Sequence, residues 1–179
     1  RYHHQDMRDS TVAQFRRRYQ VEVDQSERVE ATALSALTQL AAGAPGTADP
    51  QLLSWAARLH EIGISVAHSS YHKHGAYILT YADMPGFSKR DQARLAMLVL
   101  AHRGTLDKLR ALPAVDSAWR LICSLRLAVL LHRTRDDRAL PAWRVVATSG
   151  GFRLDLPAGW LAENPWTAAA FGEEAAVWK

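Results

Sequence analysis

Four of the chain's eight histidines, His60, His68, His72 and His74, fall within residues 54–88. His60 opens the tetrapeptide His60-Glu61-Ile62-Gly63. An imidazole beside a carboxylate can bind a divalent ion. Such an ion activates water and neutralises phosphate charge, which is the core of metal-assisted phosphoester hydrolysis. His60 and Glu61, with His102 as a third donor, form the candidate metal and catalytic set. A second chemistry is open to the same stretch. His68, His72, Lys73 and His74 can present a neutral-to-cationic patch to phosphate oxygens. The plainer alternatives are a hydrogen-bonded core histidine with Glu61 as its partner, and a polar loop that binds nothing.

Metal phosphohydrolases of the HD type take a His, an adjacent His-Asp pair and a distant Asp from different helices of one bundle. His60-Glu61-Ile62-Gly63 stands where their His-Asp-Ile-Gly would be. The other ligands do not follow. Gln25 holds the place of the first His, ahead of Arg28-Val29, and Gln is a poor ligand for a transition metal. Val129, in Ala128-Val129, holds the place of the last Asp and cannot bind a metal at all. This favours no catalytic residue and no metal in the chain. A metallohydrolase on His60, Glu61 and His102 stays as the alternative.

These side chains need helices to position them, and residues 1–140 read as helical. Val12, Phe15 and Tyr19 lie at helical spacing. Asp24 with Glu27 suggests a capping box for a helix to about Leu40. Residues 41–50 read as a loop, and Asp49-Pro50 as the N-cap and first turn of the helix carrying His60. On that helix Leu52, Ala56, Leu59, His60 and Gly63 share one face, so His60 points inward. A loop with Ser69 and Ser70 precedes a helix near His74 to Tyr81. Ser88 and Asp91 cap the next, ending at His102-Arg103-Gly104. A longer helix covers about Val115 to Arg133. Residues 141–179 change character. Trp143, Val145 and Ala147, then Phe152, Leu154 and Leu156, alternate with polar residues around Ser149-Gly150-Gly151, which predicts a β-hairpin. Asn164-Pro165 breaks the helical tail. The expected fold is mainly α: a helical domain over 1–140, then a small α+β appendage over 141–179.

The chain has 179 residues, net charge +4 and one cysteine. The positive charge suits an anionic partner such as phosphate chains. Cys123 reads as a buried core thiol, which rules out an internal disulfide framework and points to a reducing, cytoplasmic setting. No apolar run is long enough to span a membrane. The opening, with no Met, reads as an internal piece of a longer protein. Arg103, Lys108, Arg110, Arg126, Arg133, Arg135 and Arg138 recur late in the helical part. Arg126 shares a face with Trp119, Ile122 and Val129, so it snorkels to water or meets an anion or a carboxylate, with snorkelling the default. There is no glycine-rich phosphate loop and no nucleophile elbow. Trp119, Trp143, Trp160, Trp166 and Trp178 read as core or interface aromatics, outside any base-stacking motif, so no specific nucleic acid is expected.

RYHHQDMRDSTV, residues 54–88, LAMLVLAHR and LRLAVLLHR together resemble the C-terminal region of bacterial exopolyphosphatases, a family that includes guanosine pentaphosphate phosphohydrolases. The resemblance implies an HD-like helical domain followed by a small α/β domain, cut short before a final strand. It implies that catalysis and magnesium belong to N-terminal actin-like domains absent here. It further implies that this region binds inorganic polyphosphate and builds a homodimer. His102, Arg103, Lys108, Arg110 and Arg126 are the first candidate contacts, with His72, Lys73 and His74 next. A purely structural dimerisation domain is the other alternative.

Overall fold

The computed structural model describes residues 2–41 and 48–179, with side chains over 7–41 and 48–179. The helices are α1 (Tyr2–Arg18), α2 (Val23–Ala41), α3 (Pro50–Leu59), α4 (Tyr71–Tyr81), α5 (Lys89–Ala101) and α6 (Ala118–Leu131). Strands β1 (Arg144–Thr148) and β2 (Gly151–Asp155) follow, then α7 (Ala158–Glu163) and α8 (Pro165–Val177). Two 3-10 turns, Ile62–Ser65 and Asp107–Leu109, follow α3 and α5. The fold is mainly α with one antiparallel hairpin, as expected.

Helix α3 lies at the centre and packs on α1, α2, α5 and α6. Its N-cap follows the chemistry of its first residues. Asp49 Oδ1 accepts from Gln51 N and Leu52 N at 3.0 and 3.3 Å, and Pro50 needs no donor partner there. Leu52, Leu53, Leu59, Ile62, Leu79, Leu95, Leu98, Leu121, Ile122 and Leu125 are fully buried around it. Each such side chain contributes about 1.5–3 kcal/mol relative to exposure. The hairpin pairs Val145 with Leu154, and Val145 packs with Ala36, Leu40, Cys123, Leu127 and Leu131. The appendage therefore rests on α2 and α6. Helix α8 buries only Thr167.

Some boundaries differ from expectation. Helix α2 begins at Val23, with Ser26 N bonded to Glu22 O, so Asp24 sits in the first turn and is not the cap. Helix α4 begins at Tyr71, so His72, Lys73 and His74 are helical and not part of a loop. Helix α6 begins at Ala118, where Asp116 Oδ1 accepts from Ala118 N. Most of the predicted loop over 41–50, residues 42–47, lies outside the described residues. Trp166 is 79% exposed and belongs to no core. Among the described residues, no helix is long and apolar enough to cross a membrane.

Gly63 has a packing role. A Cβ there would run into the carbonyl oxygen of Tyr71 and lie 2.5 Å from Gly75 N, so the turn after His60-Glu61 sits directly on the first turns of α4. Neither obstacle is a flexible side-chain end. Gly63→Ala is expected to cost about 3 kcal/mol or more, as strong overpacking does. Urea unfolding of the variant beside the parent chain checks this; an unchanged midpoint would show that the two segments separate freely.

Candidate functional site

His60 and Glu61 directly follow α3, and His102 directly follows α5, each histidine at the C-cap of its helix. His60 Nδ1 lies 2.6 Å from Ala57 O, and His102 Nδ1 lies 2.5 Å from Val99 O. A carbonyl can only accept, so both Nδ1 atoms carry the proton and both Nε2 atoms are the free-pair side. The rings meet edge-on with centroids 5.1 Å apart. His102 Nε2 then accepts from the Tyr71 hydroxyl at 3.2 Å. Burial, above all, holds both histidines below their ordinary pKa, so both are neutral near pH 7.

Backbone-anchored Nδ1 groups with inward Nε2 atoms are also how metal-binding histidines are oriented. The remaining donors do not fit a metal. Glu61 is 5% exposed and is not primarily the partner of His60. Arg135 grips both its oxygens, Nη1 to Oε2 at 2.7 Å and Nη2 to Oε1 at 3.0 Å, and reaches Glu22 at 2.7 Å. Burial alone would raise the Glu61 carboxyl, but the Arg135 hydrogen bonds and the neighbouring positive charges hold it below the usual range. Gln25 is equally committed: its Nε2 donates to His132 O at 2.9 Å and its Oε1 accepts from Arg28 at 3.2 Å. Arg28 also donates to Arg135 O. The position of a missing ligand thus tethers the segment that carries Arg135. Among the described residues, no three His, Cys, Asp or Glu side chains are grouped to hold an ion. A cavity of about 570 Å³ opens over Glu61, lined by Tyr19, Gln20, Glu22, His68, Tyr71 and Arg135 among others. Gln20 and Arg135 both have left-handed φ, 54° and 60°. Such strain persists where the surroundings over-determine it.

A second cluster lies beyond Tyr71, on the other side of His102. Arg103 sits over the Tyr71 ring, 4.6 Å from its centroid. His72 is buried, and its Nδ1 has no hydrogen-bond partner. Gly104, at φ 77°, leaves a gap: a Cβ there would be 3.3 Å from His72 Nε2 and 3.5 Å from Lys108 Nζ. Burial and the charges of Lys108, Arg103, Lys73 and Arg126 push His72 down to about 4. Burial and the charges of Arg126, Lys73 and Arg103 push Lys108 down to about 8. After burial, the charges that lower these two groups come from the cations around them.

Of the phosphate-contact candidates, the structure gathers His72, Lys73, Arg103 and Lys108. Arg126 is 4% exposed and neither snorkels nor stands free. It donates to both Glu174 oxygens at 2.6 and 2.7 Å, to Ala101 O and to Gly104 O. His102 is buried beneath the patch. Arg110 is exposed but pairs with Asp107 at 3.2 Å. His74 follows Lys73 on α4, partly exposed. Sequence reasoning missed the roles of Tyr71, Glu174 and Arg135. Nothing local signals the last: its left-handed φ falls on a residue type that gives no hint of it.

The family model that describes domain III of Ppx/GppA phosphatases matches residues 7–175. A guanosine-5'-triphosphate,3'-diphosphate pyrophosphatase of Vibrio atlanticus (strain LGP32) is 34% identical over 173 residues, 94% of this chain and 35% of the relative. The protein of that name in Pseudoalteromonas translucida (strain TAC 125) is 32% identical over 179 residues, 96% of this chain and 36% of the relative. The chain spans about a third of the length of these relatives.

Two outcomes follow from the site's protonation. Four histidines, His60, His72, His102 and His132, have folded pKa values below their ordinary 6.5. Below pH 6.5 the unfolded chain binds protons that the folded chain refuses, so stability falls from there toward pH 4. Denaturant titrations at pH 7.0, 6.0 and 5.0 check this; a flat profile would contradict it. Arg135→Gln leaves the Glu61 carboxylate buried without its cation. Breaking a buried pair costs 3–5 kcal/mol; with Arg135 itself 41% exposed, about 2 kcal/mol at pH 7 is expected. The gap between variant and parent should narrow as pH falls and Glu61 takes up its proton in both chains. A gap that is the same at pH 7 and pH 4 would place the cost elsewhere.

Proposed function

The chain belongs to the Ppx/GppA phosphatase family, and we propose that it serves its parent as a non-catalytic region that holds a phosphate chain and joins two copies. The parent is a hydrolase that removes terminal phosphate from inorganic polyphosphate or acts on guanosine pentaphosphate. Its catalytic groups and magnesium belong to domains outside this chain. The free, buried Cys123 thiol, pushed up to about 12, suits a reducing cytoplasm.

One observation carries the binding role. Lys73, Arg103 and Lys108 all act as positive charges on the neutral His72, Lys108 and His72 flank Gly104, and among the described residues none of the three cations is in an ion pair with a carboxylate. Burial first, and then the neighbouring positive charges, hold Lys108 and His72 below their ordinary values, and a phosphate oxygen would relieve the second of these. Pairing of copies is supported by Tyr77 and Tyr81, whose rings meet at a tilt on α4 with 68% and 73% of their surface exposed.

The test is titration of the chain with long-chain polyphosphate, with chelator present, at 50 and 200 mM salt. Three cationic contacts on a single strand predict an affinity loss of about 20-fold across that range. Lys73→Ala, Arg103→Ala and Lys108→Ala combined should weaken binding and flatten the salt slope. Unchanged affinity and slope in the triple variant would sink the assignment.

A further inference from the structure

The two edges of the hairpin differ. On β1, Val145 N points away from β2 and donates to Gln39 Oε1 of α2 at 2.9 Å, so that edge lies against a helix. In an antiparallel ladder, a residue whose N–H points outward belongs to a non-bonded pair, and its partner turns its own N–H and C=O outward too. The partner of Val145 is Leu154. Leu154 therefore presents both backbone groups at the outer edge of β2, and by alternation so does Phe152. Among the described residues the sheet ends at β2, and no other backbone segment pairs with this edge. Such an edge is a template for another strand.

The side chains along it say which strand. Arg153 and Asp155 stand on the outer face, 63% and 53% exposed, and pair with each other at 3.3 Å. Phe152, Leu154 and Leu156 are half-buried on the inner face and line an apolar cavity of about 610 Å³ with Leu161, Phe171 and Trp178. We infer that β2 docks against β2 of a second copy, antiparallel about a two-fold axis at Leu154, so that two hairpins form one four-stranded sheet. In that register Leu154 faces Leu154 of the second copy and exchanges both backbone hydrogen bonds with it. Arg153 faces Asp155 of the second copy, and Asp155 faces Arg153. Phe152 faces Leu156 and extends the apolar face. The strand is its own complement, as a two-fold interface requires. Registers centred on Arg153 or on Asp155 would set like charges opposite each other, which is destabilising. The inference rests on the reading that this region joins two copies, and it names a surface other than the tyrosine pair of α4.

The experiment measures self-association of the chain by sedimentation equilibrium and changes only the two exposed charges, which lie outside the core. Arg153→Asp sets carboxylates face to face, and Asp155→Arg sets guanidinium groups face to face. Each should weaken association roughly tenfold. An equimolar mixture of the two variants should associate as tightly as the parent chain, because every facing pair is opposite in charge again. The double variant, with both charges exchanged, should do the same by itself. Association indifferent to both single variants overturns the β2 pairing, and so does a loss that neither the mixture nor the double variant reverses; in both cases the joining of copies stands on another face. A parent chain that stays monomeric up to about 1 mM overturns the joining reading and the β2 pairing with it.

Discussion

A carboxylate that is 95% removed from water cannot remain charged without a cation within bonding distance, and Glu61 obeys this through Arg135. In a metal site the ion would meet that need. Here a guanidinium does, and much of the local architecture serves its delivery. Arg135 comes from 74 residues along the chain, in the segment after α6. The segment after α6 therefore bends back at a left-handed residue, and Gln25 and Arg28 hold its backbone by hydrogen bonds to His132 O and Arg135 O. Such a pair adds little net stability over an apolar substitute. Its effect is to fix one arrangement of three segments, because either partner left alone is costly.

With Glu61 neutralised in this way, the region divides electrostatically. On one side, Arg135 bridges the two carboxylates of Glu22 and Glu61 beside a cavity. On the other, Lys73, Arg103 and Lys108 have no carboxylate partner among the described residues. His102 and Tyr71 lie between, joined by a hydrogen bond, with Arg103 on the tyrosine's face. Because His102 is neutral, it adds no further repulsion to a patch that is already strongly positive. The backbone anchors the Nδ1 atoms of His60 and His102, and the Nε2 of His102 takes the Tyr71 hydroxyl as its partner.

The parts legible in the sequence were those set by neighbours along the chain. Asp49-Pro50 and Ser88 made the caps expected of them because capping is decided within three residues. Val145 and Leu154 met across the hairpin because alternation and Ser149-Gly150 fix the register. Ser69 and Ser70 do lie in the turn before α4, but the helix begins at Tyr71 and not near His74, directly after a left-handed Ser70 that its residue type does not announce. The failures at Arg126 and Arg135 were of another kind. Their partners, Glu174 and Glu61, lie 48 and 74 residues away, and no periodicity encodes a pairing at that distance. An arginine on an apolar stripe declares that it needs a partner, but not which one.

Arg126 also ties the appendage to the patch. Its guanidinium holds Glu174 of α8 on one side and the carbonyls of Ala101 and Gly104 on the other, and Trp178 donates to the same glutamate. Gly104 is the residue whose missing side chain leaves the space between His72 and Lys108. The position of that loop therefore depends on a helix that buries little else. Helix α8 is fastened at its charged end to the segment that shapes the cationic gap, while the apolar hairpin does the packing. A charge pair that spans two parts of a fold constrains orientation more than it adds stability. The appendage accordingly contributes to the patch through geometry, without supplying a contact residue of its own.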